Sequence, residues 1–554
     1  MDFAYFAVKL RRLAFLRAFG HMQRDLRRLS SEVFDIHVIG GGATGACIAR
    51  DAALRGLSVA LSEKNDFAHA TSAHNSKLVH GGLRYLRNFE LGLVRESLKE
   101  RRIWQRIAPH LVQPLPFLVP SFGSGRLTLS AGLTLYDLLS FDRGWLDDPE
   151  QRLPGHRWLN RAATLAREPS LDAPALKGAF LYYDAQMYAP ERLALECLLD
   201  AADHGAAIAN HLDAQDLLLR DGVCQGARVR CTVSDSRFEI RARLTIVATG
   251  PWADIFLART LGESAPRIVR SKGIHVVVPA LTRTDALTVA TPHGHFFVLP
   301  WRGHSLLGTT DSAFTGSPDD VGVSNNDIDA FLALVNAYLP NEALSRENVL
   351  YAYAGLRPLV DDGSKDTYGA SRKAELIDHG QTNKIAGLLS AIGGKWTTSR
   401  ELAERVVDAA VAKLGVRGRQ STTATTPLPG GRIGRLADFR RRYAPEQDHL
   451  ARLYGARLDQ VLALARNAPA LATKLSPSGD IAAQVLFAIQ DEMAMTLSDI
   501  VLRRTGIGQL GKPGDHALGI TAAVAAEALG WSETRKQQET ASLSSAWRIA
   551  GDGA

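Results

Sequence analysis

Hydrophobic positions along the 554-residue chain change period several times, and each change marks a different kind of element. Asp35-Ile36-His37-Val38-Ile39 is a short apolar run of strand type. It gives way to Gly40-Gly41-Gly42-Ala43-Thr44-Gly45 and then to a helical run through Arg55. Leu57-Ser58-Val59-Ala60-Leu61 predicts a second strand. Leu244-Thr245-Ile246-Val247-Ala248 predicts a third, of the buried type, ended by the turn residues Thr249-Gly250-Pro251-Trp252. Residues 274–279 and 296–311 are also strand-like. Thr426-Pro427-Leu428-Pro429-Gly430-Gly431 breaks any helix and reads as a linker. Beyond it, residues 450–465 and 481–502 carry helical periodicity with few glycines, so a helical domain is predicted over 427–530, its apolar residues forming a core. Residues 531–554 are polar and are expected to form a mobile tail.

The first 34 residues differ in tone: Phe3, Phe6, Leu10, Leu13 and Leu16 recur at near-helical spacing among Lys9, Arg11, Arg12 and Arg17. This pattern suits a basic surface-binding helix, although Arg17 falls on its apolar side. The alternative is that translation starts at Met22. No apolar stretch approaches the roughly 20 residues that cross a bilayer.

Composition narrows the field. Hydrophobic residues at 46% and charged residues at 22% exclude a disordered or fibrous chain. Sixty-five Lys and Arg against fifty-eight Asp and Glu leave +7, scattered along the sequence, so no nucleic-acid partner is expected. Cys47, Cys197, Cys224 and Cys231 show no CxxC spacing; they are read as buried small hydrophobes, with no metal site expected.

The glycine turn carries the clearest chemistry. Between a strand and a helix, Gly40 permits the tight turn, Gly42 lets the backbone approach a pyrophosphate, and Gly45 lets the helix pack on the strand. The helix N-terminus offers N–H groups to the anion. Glu63, eighteen residues after Gly45 at the end of the second strand, can accept the ribose hydroxyls. NAD and FAD share this ADP half, so the motif alone does not choose between them. The Ala248-Thr249-Gly250 strand end resembles that of the two-dinucleotide-fold flavoproteins and tips the reading to FAD.

Further motifs follow in order: Ala70-Thr71-Ser72, Ser76-Lys77-Leu78-Val79-His80-Gly81-Gly82-Leu83-Arg84-Tyr85-Leu86, Lys272-Gly273-Ile274-His275, Gly308-Thr309-Thr310-Asp311, Gly355-Leu356-Arg357-Pro358-Leu359, Ser371-Arg372 and Gly393-Gly394-Lys395-Trp396-Thr397-Thr398. With the glycine turn, they resemble the FAD-dependent (aerobic, respiratory) glycerol-3-phosphate dehydrogenase family over about residues 34 to 530. The match is weaker at Tyr182-Tyr183-Asp184-Ala185-Gln186 and over 427–554, where Asp491-Glu492-Met493-Ala494 through Arg503-Arg504-Thr505 stands out.

The resemblance implies an α/β plus α fold: a two-dinucleotide-binding-type, Rossmann-like FAD domain with an inserted antiparallel-sheet substrate domain and a C-terminal helical cap. The FAD domain would occupy about 35–110, 190–265 and 350–425, interleaved with substrate segments at 111–189 and 266–349, after a basic extension at 1–34. It implies His275 as base or as hydrogen-bond partner of the substrate hydroxyl. Arg84, Tyr85, Arg357 and Arg372 would gather around the substrate phosphate, whose oxygens suit guanidinium forks. Lys395 would neutralise that phosphate or charge on the flavin, the alternative being a helix-capping lysine. Thr71, Ser72, Ser76, Lys77, Gly250 and Gly394 would join the glycines and Glu63 around the cofactor.

The implied reaction is oxidation of glycerol 3-phosphate by hydride transfer to FAD, with a membrane quinone as acceptor. The expected place is the cytoplasmic side, peripherally on the inner face of the cytoplasmic membrane, as a homodimer. Rival readings are an oxidase using oxygen, a flavin enzyme of amines or 2-hydroxy acids, and a non-catalytic flavin-binding protein.

Overall fold

The computed structural model describes residues 22–122, 125–292, 294–339, 341, 343–360, 374–416 and 420–547. At the centre of the first sheet is Val33–Ile39, an almost wholly buried strand flanked in parallel by Arg237–Val247 and Val59–Ser62. Leu388–Gly393 and Ala207–Ala209 extend the sheet in parallel, and Ala374–Asp378 adds an antiparallel edge. The register sets Ile39 beside Val247 and Ser62, so the carboxyl ends of three strands meet at one edge, the usual ligand position in such sheets. Helix Ala43–Leu54 follows the glycine turn and packs against Pro190–Asp203 and Ser399–Leu414, burying Cys47 and Cys197. The strand begins inside the extension expected over 1–34. Before it, Leu26–Ser31 is a short helix capped by Asp25, and Met22 is buried beside Glu492; residues 1–21 lie outside the described residues.

The second sheet is antiparallel for most of its ten strands. Val112–Ser121 pairs with Gly178–Met187, and Ala286–Thr291, Gly294–Trp301 and His304–Gly308 form a meander that ends against Ile268–Pro279. Residues 351–360 depart from the expected division. Tyr351–Val360 pairs with Ile268–Pro279 in this second sheet because its Ala354 buries among Ile274 and Val276; the chain rejoins the first sheet at Ala374.

The C-terminal part is helical, as expected, with two differences. The periodic run at 481–502 divides into Ala482–Asp491 and a π-helical turn at Asp499–Arg504, broken where Met493 adopts a left-handed backbone (φ 57°). The polar tail contains helix Glu533–Ser544, capped by Ser532; Glu539 accepts the Leu497 N–H at 2.8 Å and Leu543 is buried. The linker at 426–431 is a packed turn: Gly430 N–H donates to Glu196 at 2.6 Å, and a Cβ there would meet Glu196 and His110 at 2.5 Å. Among the described residues no helix is long and apolar enough to cross a membrane.

Candidate active site

One cavity of about 1430 Å³ runs from the glycine turn of the first sheet to the face of the second. At its nucleotide end the backbone does most of the shaping. Gly40 has φ 109°, and a Cβ on it would stand 2.5 Å from the Ala248 carbonyl oxygen. A Cβ on Gly45 would stand 1.9 Å from the Gly40 oxygen, whereas on Gly42 it would meet only the Ser72 hydroxyl, at 3.0 Å. Two glycines therefore allow the turn to close, and the third leaves its outer side open to a ligand. Ser72 Oγ accepts the Ala43 N–H at 2.9 Å, at the start of the helix. Glu63 accepts Gly41 N–H at 2.6 Å and Asn65 N–H at 2.9 Å. Burial raises its pKa and these two N–H groups counteract that. Gly250 (φ 53°) and Gly394 (φ 83°) also line the cavity.

The other end is built from side chains. His275 is buried on strand Ile268–Pro279, its Nε2 2.9 Å from Ser76 Oγ and its ring stacked on Tyr353 at 5.1 Å; Tyr353 in turn stacks on His74 at 5.3 Å. Burial, with the positive charges of Arg357 and Lys77, holds the His275 pKa well below the ordinary histidine value, so the ring is neutral. Its Nδ1 has no hydrogen-bond partner among the described residues.

Arg357 lies on the neighbouring strand, opposite Ser271. It donates to Ser271 Oγ at 2.8 Å, Thr309 Oγ1 at 2.9 Å and the Thr310 carbonyl at 3.1 Å, with Asp311 3.5 Å away. A Cβ on Gly273 would lie 2.4 Å from its guanidinium, so this glycine makes room for the arginine. Arg84 and Lys395 both approach the Tyr85 ring, at 5.0 Å and 4.6 Å. The Lys395 ammonium is buried without a hydrogen-bond partner among the described residues, and desolvation lowers its pKa. The turn bearing Arg84 and Tyr85 is held from behind: Gly81 N–H donates to Tyr136 Oη at 2.9 Å, and Tyr136 donates to Asp184, which is paired with the buried Arg101. Three cationic residues thus surround one end of the cavity, a distribution that suits a phosphate.

Several expected roles change. Lys77 does not reach the cavity. Its left-handed backbone (φ 55°) turns the side chain so that its ammonium sits over the rings of Trp301 at 4.6 Å and Tyr353 at 5.3 Å, and burial lowers its pKa to about 8. Thr71 lines the cavity, but its hydroxyl donates to the Leu356 carbonyl at 2.7 Å. Ser76 partners His275. Arg372 lies outside the described residues. Residues not singled out beforehand also line the wall, notably His80, His295, Thr309 and Thr310. Burial lowers the pKa of His80 to about 3 and of His295 to about 4. His80 stood inside the Ser76–Leu86 motif as a visible signal; His295 carried none.

The chain is similar to known proteins along most of its length. The FAD dependent oxidoreductase family matches residues 35–400, and the C-terminal domain of alpha-glycerophosphate oxidase matches residues 421–536. The chain is 38% identical to a glycerol-3-phosphate dehydrogenase of Synechocystis over 514 residues, covering 88% of this chain and 91% of that one. It is 32% identical to the aerobic glycerol-3-phosphate dehydrogenase of Bacillus subtilis, covering 88% and 90%. The crystal structure of a Bacillus halodurans glycerol-3-phosphate dehydrogenase complexed with FAD superposes with a TM-score of 0.76 at 28% identity, over 96% of this chain and 98% of that one.

Proposed function

The chain belongs to the FAD-dependent glycerol-3-phosphate dehydrogenase family, and from that premise we propose that His275 and the cations Arg84, Arg357 and Lys395 carry its reaction at the end of the cavity facing the second sheet. It is an FAD-dependent enzyme that oxidises glycerol 3-phosphate. The cavity suits the cofactor: an open-sided glycine turn at a helix N-terminus for the pyrophosphate, Glu63 for the ribose, and Gly250 and Gly394 along the path to the second sheet. Bound there, FAD supplies the acceptor for a hydride.

The rest is done by the chain. Arg357, Arg84 and Lys395 take the phosphate, which replaces water lost by the buried ammonium. The substrate carbon gives up its hydrogen with the bonding pair while its hydroxyl proton leaves, and the secondary alcohol becomes the ketone. The proton goes to His275 Nε2, the nitrogen held toward Ser76 in the cavity wall. Burial leaves the imidazole unprotonated and so free to accept it, and the same burial makes the ring a weaker base than an exposed histidine. The observation that carries this reading is a neutral buried histidine and a buried ammonium with no hydrogen-bond partner among the described residues, in the wall of one cavity. Anaerobic addition of glycerol 3-phosphate should bleach the oxidised flavin bands. Bands unchanged by glycerol 3-phosphate but lost with sarcosine or lactate would remove the phosphate assignment.

Electrons leave to a membrane quinone, and the docking face is the outer side of helix Arg126–Leu139. Leu127 is 86% exposed there, Leu138 is exposed, and Phe141 and Trp145 follow, Trp145 62% exposed. Arg95 and Arg102 stack over these two aromatic rings. Both arginines are paired with Asp142, at 2.8 and 3.0 Å, so it is the apolar tips that suit a bilayer surface. The inner face of the same helix contributes Leu129, Gly132 and Leu135 to the cavity wall, giving an apolar acceptor a short approach. Trp145→Asp should reduce flotation with anionic vesicles and turnover with a long-chain quinone together. Hydrogen peroxide release in place of quinone reduction would move the reading to an oxidase.

A further inference from the structure

The motif Asp491-Glu492-Met493-Ala494 through Arg503-Arg504-Thr505 has no place in the chemistry above, yet it forms a buried, multiply paired ionic cluster outside the active site. Arg504 grips Asp66 with a two-pronged fork, Nη1 to Oδ2 and Nη2 to Oδ1, both at 2.7 Å. Arg503 adds a bond to Asp66 Oδ2 at 2.6 Å and reaches Asp499 at 2.8 Å. Asn210 bridges the two parts of the molecule, donating to Asp66 at 2.9 Å and to the Met493 carbonyl at 3.0 Å. His211 Nε2 lies 2.9 Å from Asp499 Oδ2. Arg504 is anchored in turn by its bond to the Glu492 carbonyl at 2.9 Å, while the Glu492 carboxylate takes Arg192 at 2.8 and 2.9 Å and Arg457 at 2.9 Å.

Asp66, His211 and Asp499 bring ligand atoms within 4.8 Å of one another, a spacing that could hold a cation. The guanidinium groups of Arg503 and Arg504 already supply the positive charge there. Burial opposes ionisation of Asp66, but Arg504 and Arg503 outweigh it and hold its pKa below the usual carboxylate value.

What the fork holds is the loop behind the nucleotide end of the cavity. Asp66 lies three residues after Glu63 and two before Ala68, whose N–H donates to the Gly41 carbonyl at 3.0 Å. Gly41 N–H donates to Glu63. Phe67, between them, is buried under Gly41, where a Cβ would meet its ring at 2.8 Å. The Asn210–His211 turn is tied to the same loop: His211 N–H donates to the Asn65 carbonyl, and Leu212 N–H to that of Glu63, both at 2.7 Å. A displacement of Asp66 is therefore passed directly to the ribose acid and to the glycine turn.

We infer that the C-terminal helical domain positions the FAD site through the Arg503–Arg504 grip on Asp66, and that Asp66 is a positioning residue for cofactor binding. A change at Asp66 acts on how fast FAD leaves; the charge of Arg503 also reaches His74 and Tyr351, beside the stack that carries His275, so its test substitution keeps that charge. The test compares holoenzymes below their thermal midpoints, following released FAD by its fluorescence. Asp66→Asn keeps the shape and removes the anion; FAD release should quicken at least tenfold, while KM for glycerol 3-phosphate, measured with FAD in excess, stays within twofold of wild type. Arg503→Lys keeps the charge and loses one of two bonds; its release should quicken about threefold, and it serves if Asp66→Asn does not fold. Release unchanged in the folded variants, or KM for glycerol 3-phosphate moving in step with release, would overturn the assignment.

Discussion

The two ends of the cavity are built on opposite plans. At the nucleotide end the side chains that shape the turn already have protein partners: Glu63 holds two backbone N–H groups, Ser72 holds Ala43, and the glycines fix the turn by what they lack. At the other end, His275 Nδ1 and Lys395 Nζ are buried without a hydrogen-bond partner among the described residues, beside the guanidinium groups of Arg84 and Arg357. The first plan makes a rigid cradle. The second leaves a desolvated ammonium at Lys395, a group that an anion would relieve.

The largest effect should come from disturbing the cradle. Gly45→Ala would place a Cβ 1.9 Å from the Gly40 carbonyl oxygen, a clash with the backbone that no side-chain rotation relieves. The purified protein should be colourless, and FAD recovered at wild-type stoichiometry would show that the turn can open.

A change at the other end should leave the cofactor alone. In His275→Ala the flavin should stay bound while its anaerobic reduction by glycerol 3-phosphate slows about 10²- to 10⁴-fold, the usual range for a general base. Equal loss of FAD and of reduction would erase the distinction between the ends.

The distinction should also appear in pH. The folded pKa of His275 lies well below 6.5, and those of His80 and His295 fall to about 3 and 4. The reduction rate should therefore be flat through pH 6.5, with no acid limb at the ordinary histidine value. Stability moves differently. Below 6.5 the unfolded chain binds protons that the folded one refuses, so the thermal midpoint should fall as pH drops from about 6.5 toward 4. A midpoint that rises over that window would mean that these rings gain protons on folding.

Lys77→Met should have the smallest effect. With the ammonium over Trp301 and Tyr353, its loss should cost about 0.5–2 kcal/mol of stability in denaturant unfolding and change FAD affinity less than threefold. A tenfold loss of FAD affinity would put Lys77 back on the cofactor side.

The cradle was the legible part of the site, because a turn that only glycine can make leaves a mark at fixed spacing: Gly40, Gly42 and Gly45 line up with Glu63 as the motif requires. The cationic end depends on register. Arg357 stands opposite Ser271, and Tyr353 opposite His275, because two strands far apart in the chain pair in one alignment, and nothing local encodes that pairing. Lys77 shows the limit within a matched motif: Ser76 and Leu78 line the cavity, but the lysine between them turns away. In the fold, the helical character of the C-terminal part followed from periodicity. Helix Glu533–Ser544 was hidden because one buried leucine and the Glu539 bond to the Leu497 backbone attach an otherwise polar segment.

The fork between Arg504 and Asp66 also has a history in time. The two residues are 438 positions apart, so the glycine turn and its acid leave the ribosome long before the arginine exists. At about 5–20 residues per second the interval is about 20 to 90 s. During that interval Asp66 is an anion awaiting its counter-charge, and the carboxylate has water as its alternative partner. The loop behind Glu63 gains the last of its partners only when residues 503 and 504 have been made.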